Sequence, residues 1–309
     1  MWADQERGSG YLGTMKIAIL GPTASGKSTL AAAVARRIGG TVVNGDPFQS
    51  IAGLAIGTGQ PSEAERGGLP HLGYGLLPLS TRPNPVRFGA QVRTWLASIE
   101  DPVLVTGSGL YLRGIWDQLT ELPDVPEATV TKVRRWSAVL GVPRLHRMLA
   151  GLDPKRAAEL HPNDGSRVTR ALALHLATGR KASELLTGVR SGVPEGWRAL
   201  VVLSTREMQR KRVESRVAEQ LKAGWRDEVA VLLAAGHRAD LQTLNPLGYM
   251  GLVAMAESRR HSGIEGIIQE TQAFAKRQAT WFRNQLPGTP HWNPDVEPMD
   301  AAFEKLGLL

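Results

Sequence analysis

Three short stretches of the chain are apolar at most positions, Lys16–Leu20 (KIAIL), Pro102–Thr106 (PVLVT) and Leu200–Ser204 (LVVLS), and a fourth, Thr41–Asp46 (TVVNGD), carries a β-branched start behind Gly39-Gly40. Runs of that length predict buried strands. Lys27–Ile38 has a different period. Its apolar Leu30, Val34 and Ile38 recur every four residues, which predicts a helix with one apolar face. Strands alternating with helices predict an α/β fold, a parallel sheet flanked by helices. Between the third and fourth strands lie roughly ninety residues, too many for a simple crossover. Helical spacing recurs there at Val130–Leu140, Pro143–Leu149, Lys155–Leu160 and Ser166–Ala177. The predicted organisation is a core of residues 15–116 and 198–309 carrying a mainly helical insertion of residues 117–197. Beyond Ser204, helices are predicted around Glu207–Ala223, Trp225–Ala235 and Ile264–Asn284. Gly59–Pro85, rich in glycine and proline, predicts a long surface loop of the kind that often carries function. Residues 1–14 are polar and stand directly before Met15 and the first strand, so they read as a loose extension.

Composition narrows the classes. With 309 residues and a hydrophobic fraction of 42%, the chain can build a core, which excludes wholesale disorder. No apolar run approaches the ~20 residues that cross a bilayer, and the polar start lacks a secretory pattern. Cysteine is absent, so disulfides, zinc–thiolate sites and thiol catalysis are excluded, and the cytoplasm is the default location. The net charge of +8 fits two readings: a soluble protein that happens to be basic, or a partner rich in phosphates such as nucleic acid.

The chemistry begins at GPTASGKS. Gly21, Pro22, Thr23, Ala24, Ser25, Gly26, Lys27 and Ser28 match the full phosphate-loop pattern, between a predicted strand and a predicted helix. Glycines let the backbone curl so that its N–H groups point inward, and the helix start adds the positive end of its dipole. Lys27 supplies a point charge, and the Ser28 hydroxyl can ligate Mg²⁺. A nucleotide hydrolase with this ATP-binding type of loop also needs an apolar strand ending in a carboxylate. Here the third strand runs instead into Gly107-Ser108-Gly109. The acid is Asp46, at the end of the second strand. Strand ends face the ligand crevice in such sheets, so Asp46 reads as a base that takes a proton from an acceptor group, or as a cap of the turn that follows it.

Further segments extend the pattern: Asp46-Pro-Phe-Gln49, IGTGQPS (Ile56–Ser62), GSGLYLR (Gly107–Arg113), HPNDGSRVTRAL (His161–Leu172), RVESR (Arg212–Arg216), LNPLGYM (Leu244–Met250) and KRQATWFR (Lys276–Arg283). In this order, over nearly the whole chain, they resemble the tRNA dimethylallyltransferases. The resemblance implies a phosphate-loop sheet with a helical insertion domain. It implies that the loop holds the diphosphate of dimethylallyl diphosphate and that Mg²⁺ assists. The five-carbon group would go to N6 of the adenosine at position 37, in the anticodon stem-loop of tRNA. It further implies a cytoplasmic monomer working without a membrane.

On that resemblance, Asp46 accepts the N6 proton, and Lys27, Ser108 and Arg216 act with it. Ser108 would bond the leaving diphosphate or orient the adenine, and its other reading is a small turn residue between glycines. Arg216 would grip diphosphate with its fork of donors, or belong to a solvated basic face with Arg210, Lys211 and Arg212. Asp46, Pro47, Phe48 and Gln49 would touch the extruded base. Arg167 and Arg170, three apart on one helix face behind a cap at Asp164, would reach tRNA or form a surface pair. Gly248 and Tyr249 would offer a ring to the anticodon loop, with core packing the equal alternative. Lys276, Arg277, Gln278 and Arg283 would meet tRNA while Trp281 and Phe282 anchor their helix. Three departures stand out against the family pattern. Pro47 replaces a serine, Gln60 stands where a lysine is usual, and the His71 segment carries one histidine and no acid. The competing readings are a prenyltransferase acting on free AMP, a nucleoside or small-molecule kinase, and a tRNA-binding protein without catalysis.

Overall fold

The computed structural model describes residues 14–117, 119–186, 192–258 and 263–309. The predicted extension therefore lies outside the described residues, apart from Thr14. Six strands form one sheet: β1 (Lys16–Leu20), β2 (Thr41–Asn44), β3 (His71–Leu72), β4 (Pro102–Thr106), β5 (Trp197–Val202) and β6 (His291–Trp292), in the order β3-β2-β4-β1-β5-β6. Every pairing is parallel.

The apolar runs are continuous because both faces of the sheet are covered. Ile17 and Ile19 pack into one layer with the helices Lys27–Ile38 and Met299–Lys305. Ala18 and Leu20, the alternate positions, pack into the other with the helices Pro85–Ala97, Gly109–Trp116 and the end of Ile264–Gln285. A third core joins the chain around Ile51 and Leu54 to the helices Arg206–Lys222, Trp225–Ala234, Arg238–Leu244 and Tyr249–Ser258.

The described residues divide into two compact units, the larger comprising the chain up to Trp116 and from Ser191 to Leu309, the smaller Asp117–Arg190. The smaller unit is helical: Glu127–Leu140, Val142–Leu152, Pro154–Ala158, Gly165–Thr178 and Ala182–Leu185. Leu145 and Leu149, one turn apart, bury with Val133, Val168 and Leu172 in its own core. Asp153 and Asp164 cap two of its helices by accepting the N–H groups of Arg156 and Arg167.

The predicted surface loop Gly59–Pro85 holds more structure than its composition suggests. Ser62 starts a helix at Glu63–Arg66 with a reciprocal Ser62–Glu65 cap, and β3 then joins the sheet edge through Val42 and Val43. A strand of two residues has no periodicity to read. The fourth predicted strand lies earlier than expected, at Trp197–Val202, because Leu203 and Ser204 already lead into the helix that Thr205 caps.

The tightest crossing joins Pro85–Ala97 to Gly109–Trp116. A Cβ on Gly89 would lie 1.9 Å from the Gly114 carbonyl oxygen, and one on Gly114 would lie 2.0 Å from the Pro85 oxygen. These are backbone atoms, which cannot swing aside. Gly89→Ala is expected to lower the stability of the larger unit by about 1–3 kcal/mol or more, read as a fall in the denaturant midpoint. An unchanged midpoint would contradict the packing.

Candidate active site

The phosphate loop leaves β1 at Gly21, whose N–H reaches the Thr106 carbonyl of β4 at 3.4 Å. A Cβ here would lie 2.5 Å from the Val202 oxygen of β5, so glycine is needed where three strands converge. Ala24 adopts φ 58°, a left-handed conformation costly for a residue with a Cβ, and Gly26 follows at φ 88° as the helix cap. No side chain caps the helix Lys27–Ile38. Its first-turn N–H groups thus face the loop without an intrahelical partner, the arrangement that receives an anion.

Three side chains from distant helices hold this loop. Gln278 accepts the Thr23 N–H at 2.9 Å through Oε1 and donates Nε2 to the Gly107 carbonyl at 2.7 Å. Gln209 donates to the Thr23 carbonyl at 3.3 Å. Arg212 donates to the Ser25 carbonyl at 3.2 Å and to Ser204 Oγ at 2.9 Å, and pairs with Asp295 at 2.6 Å. Ser25 is fully buried, and its hydroxyl has no partner among the described residues.

Lys27, Asp46 and Arg216 share one electrostatic neighbourhood. Burial, and then the positive charge of Arg216, lower the Lys27 ammonium to about 8, against the opposing pull of Asp46. Its Nζ turns to the Pro22 carbonyl at 3.3 Å. Burial pushes the Asp46 carboxyl above the ordinary carboxylate range, while the Phe48 N–H, Lys27, the Gln49 N–H and Arg216 act against that rise. The Phe48 N–H donates to Asp46 Oδ1 at 3.0 Å, so Asp46 caps the turn that follows it, and it also stands among the site's charges. Burial also lowers Arg216 below its usual value. Its Nη2 donates to the Thr58 carbonyl at 3.3 Å, directly over Gly59, where a Cβ would lie 1.9 Å from the guanidinium. Gln49 Nε2 donates to the carbonyls of Thr58 and Gly59 at 3.0 and 2.9 Å. The IGTG turn therefore fastens Gln49 and Arg216 together. Tyr111, raised to about 12, and Tyr74 are both shifted upward by burial and then by the Asp46 charge, which marks them as neighbours of that carboxylate.

The remaining sequence candidates divide. Ser28 is exposed in the first helical turn, and Ser108 is half-buried in the turn that follows β4. The Ser108 N–H meets Thr106 Oγ1 at 3.1 Å, and that hydroxyl donates to the Gly45 carbonyl at 2.8 Å, tying β4 to β2. Pro47 is buried, and Phe48 packs against the core around Ile51. Lys276, Arg277 and Arg283 are exposed on Ile264–Gln285, opposite its buried face of Thr271, Ala275, Ala279 and Phe282. Arg167 and Arg170 are exposed on Gly165–Thr178 of the smaller unit, and Arg167 pairs with Asp164 at 3.6 Å.

The structure takes the core-packing reading of Tyr249 and places Gln278 differently from the sequence expectation. Tyr249 is fully buried, edge-on to Trp225, and donates its hydroxyl to Glu228 Oε1 at 2.6 Å. It has no face to stack on a base, and Gly248 is a packing glycine, since a Cβ there would meet Trp225 at 2.5 Å. Gln278 is buried against the phosphate loop, on the opposite side of its helix from the exposed cations, so it is no surface contact for tRNA.

Gln209 carried no sequence expectation, and Arg212 was expected only on a solvated basic face, whereas both hold the phosphate loop. Spacings of three and four residues put both on the helix face of Arg216, and that was the available signal. Glu228 was also missed. It accepts the N–H groups of Ile56 and Gly57 and holds the IGTG turn from beneath.

The donor set bears on Mg²⁺. Among the described residues no group of three histidines or acids assembles that could hold a metal. The loop offers the Ser28 hydroxyl, one hard oxygen. That fits a cation carried mainly by substrate phosphate oxygens and water, not one caged by protein.

A family model described as IPP transferase matches residues 49–285, and one described as isopentenyl transferase matches residues 15–71. A tRNA dimethylallyltransferase from Rhodospirillum centenum is 38% identical over 284 residues, covering 89% of this chain and 90% of that protein. The chain belongs to the IPP transferase family. Among solved structures, the full-length tRNA isopentenylpyrophosphate transferase of Bacillus halodurans is similar at 28% identity and a TM-score of 0.65, covering 95% of this chain and 97% of its own. A eukaryotic dimethylallyltransferase acting on tRNA shares the fold at 21% identity, with a TM-score of 0.71, covering 94% of this chain and 78% of its own. The phosphate-loop sheet is thus the fold of the IPP transferase family, and no helix among the described residues is long and apolar enough to cross a membrane.

For an IPP transferase loop of this build, the Lys27 charge sets a pH dependence. Below about 8 the ammonium is charged and attracts an anion; above it the charge is lost. Inorganic diphosphate should bind wild type more tightly than Lys27→Met by about 1.5–3 kcal/mol at pH 7, with the gap narrowing toward pH 10. Calorimetric titration at several pH values checks this. A gap that is constant with pH would contradict it.

Proposed function

We propose that this chain transfers the dimethylallyl group of dimethylallyl diphosphate to N6 of the adenosine at position 37 of tRNA, releasing diphosphate. The observation that carries the reading is the meeting of Lys27, Arg216 and Asp46 at the phosphate loop, with no carboxylate at the end of β4 to serve an ATP hydrolase. The named activities of the relatives support it.

In the transfer, the N6 lone pair forms a bond to the allylic C1, and the C1–O bond to diphosphate breaks. The electron pair of that bond leaves with diphosphate. First-turn N–H groups, Lys27 and Arg216 meet the growing negative charge. Asp46 takes the N6 proton. A carboxyl raised by burial is a stronger base than one in water, while Lys27, Arg216 and two backbone N–H groups act against that rise. Mg²⁺, when held by Ser28 and the diphosphate, adds positive charge at the leaving group. Ser108 offers its hydroxyl at the neighbouring strand end.

Gln49 spends both amide hydrogens on Thr58 and Gly59. Its carbonyl oxygen is left to accept from the base, which suits an exocyclic amine. Pro47 and Phe48 link Asp46 to Gln49 in the short turn after β2.

The acceptor is read as a large RNA. Lys276, Arg277 and Arg283 line one exposed helix face, the chain carries a net charge of +8, and Arg167 and Arg170 add exposed cations on the smaller unit. The anticodon stem-loop is the proposed contact, and a monomer the proposed working form. Incubation with unmodified tRNA, dimethylallyl diphosphate and Mg²⁺, followed by nucleoside mass analysis, tests the reading. The expected product is N6-dimethylallyladenosine in tRNA, with free AMP unmodified. Asp46→Asn should lower the transfer rate about 10²–10⁴-fold while diphosphate still binds. An unmodified tRNA pool, or an Asp46→Asn rate equal to wild type, would overturn it.

A further inference from the structure

Gln278 joins two parts of the site that are far apart in sequence. Its Oε1 takes the Thr23 N–H of the phosphate loop, 255 positions away, and its Nε2 gives a hydrogen to the Gly107 carbonyl, 171 positions away. The side chain is 8% exposed. One atom must accept and the other donate, so only a neutral amide satisfies both partners; a carboxylate cannot donate and an ammonium cannot accept.

Gly107 lies where the parts meet. A Cβ there would be 3.0 Å from Gln278 Nε2, 3.1 Å from the Gly21 carbonyl and 3.5 Å from Lys27 Cε. Gly107 also begins the turn that carries Ser108. On the next residue but one, Gly109 lies beneath Trp281 of the same helix as Gln278, where a Cβ would meet the ring at 2.2 Å. The helix Ile264–Gln285 therefore grips the turn after β4 at two points, and through Gln278 it grips the phosphate loop as well.

We infer that Gln278 is a positioning residue for the diphosphate subsite, one that sets the phosphate loop against the Gly107–Gly109 turn and takes no part in contacting RNA. The inference rests on the proposed use of that loop for diphosphate. The Thr23 N–H is committed to Gln278 and is withheld from the anion, so the N–H groups that remain for it lie further along the loop and in the first helical turn. Losing Gln278 frees Thr23 and lets that part of the loop move away from the Gly107–Gly109 turn and the strand ends. The cost falls on the phosphates. The exposed cations Lys276, Arg277 and Arg283 keep their place on the other side of the helix.

The test uses the full-length chain and two substitutions. Gln278→Met keeps the shape and removes both bonds; Gln278→Glu keeps the acceptor for Thr23 and removes the donor to Gly107. Inorganic diphosphate is titrated by calorimetry, and unmodified tRNA binding is followed by gel shift. Both variants should bind diphosphate at least about tenfold more weakly, with tRNA affinity within about twofold of wild type. An amide facing RNA would give the reverse, and Gln278→Glu would then repel the RNA backbone. Wild-type diphosphate affinity in either folded variant overturns the inference, as does a loss of tRNA affinity exceeding the loss for diphosphate. Prenyl transfer by the wild type, assayed alongside, reports separately on the proposed function.

Discussion

Because β2, β4 and β1 run parallel and side by side, the chain leaves all three at the same edge of the sheet. That constraint assembles the site. The end of β1 becomes the phosphate loop, the end of β2 delivers Asp46, and the end of β4 delivers the turn with Ser108. Backbone bonds between the ends, from Gly21 to Thr106 and from Gly45 to Val105, fix their spacing before any side chain contributes. Crevices of this kind lie beyond the carboxyl ends of the strands in open α/β sheets generally. What distinguishes this one is the set of groups brought to it.

Two cations and one carboxylate lie half-buried in one electrostatic neighbourhood there. Burial disfavours every one of those charges, lowering Lys27 and Arg216 and raising Asp46. The carboxylate partly offsets the cost to the cations, but the set keeps a surplus positive charge. A diphosphate supplies what is missing, and its departure as a leaving group is helped by the same surplus. The second half of the chain keeps the loop in register with these charges. Gln209 and Arg212 act from one helix and Gln278 from another, so the phosphate loop is shaped by residues that follow it by more than 180 positions.

Much of this was legible in the sequence where the signal was local. The loop, its strand and its helix are contiguous, and β1, β4 and Lys27–Ile38 have the bounds that their apolar periods predict. Asp46 could be singled out because a strand end is a definite place in the fold. Side chains whose roles depend on distant partners were harder to read. Gln278 sits among cations and aromatics in KRQATWFR, and only the buried contacts with Thr23 and Gly107 separate it from its exposed neighbours. Tyr249 offered a ring that suits stacking or core equally, and the choice was made by Trp225 and Glu228, which lie more than 20 residues away. β3 and β6, two residues each, owe their existence to the edges they join and carry no pattern of their own.

The most direct measurement is the balance of products. With labelled dimethylallyl diphosphate and tRNA, the account predicts one inorganic diphosphate released for each prenyl group attached to RNA, with added ATP left intact. Release of phosphate from ATP, without prenyl attachment and without a matching yield of diphosphate, would contradict it.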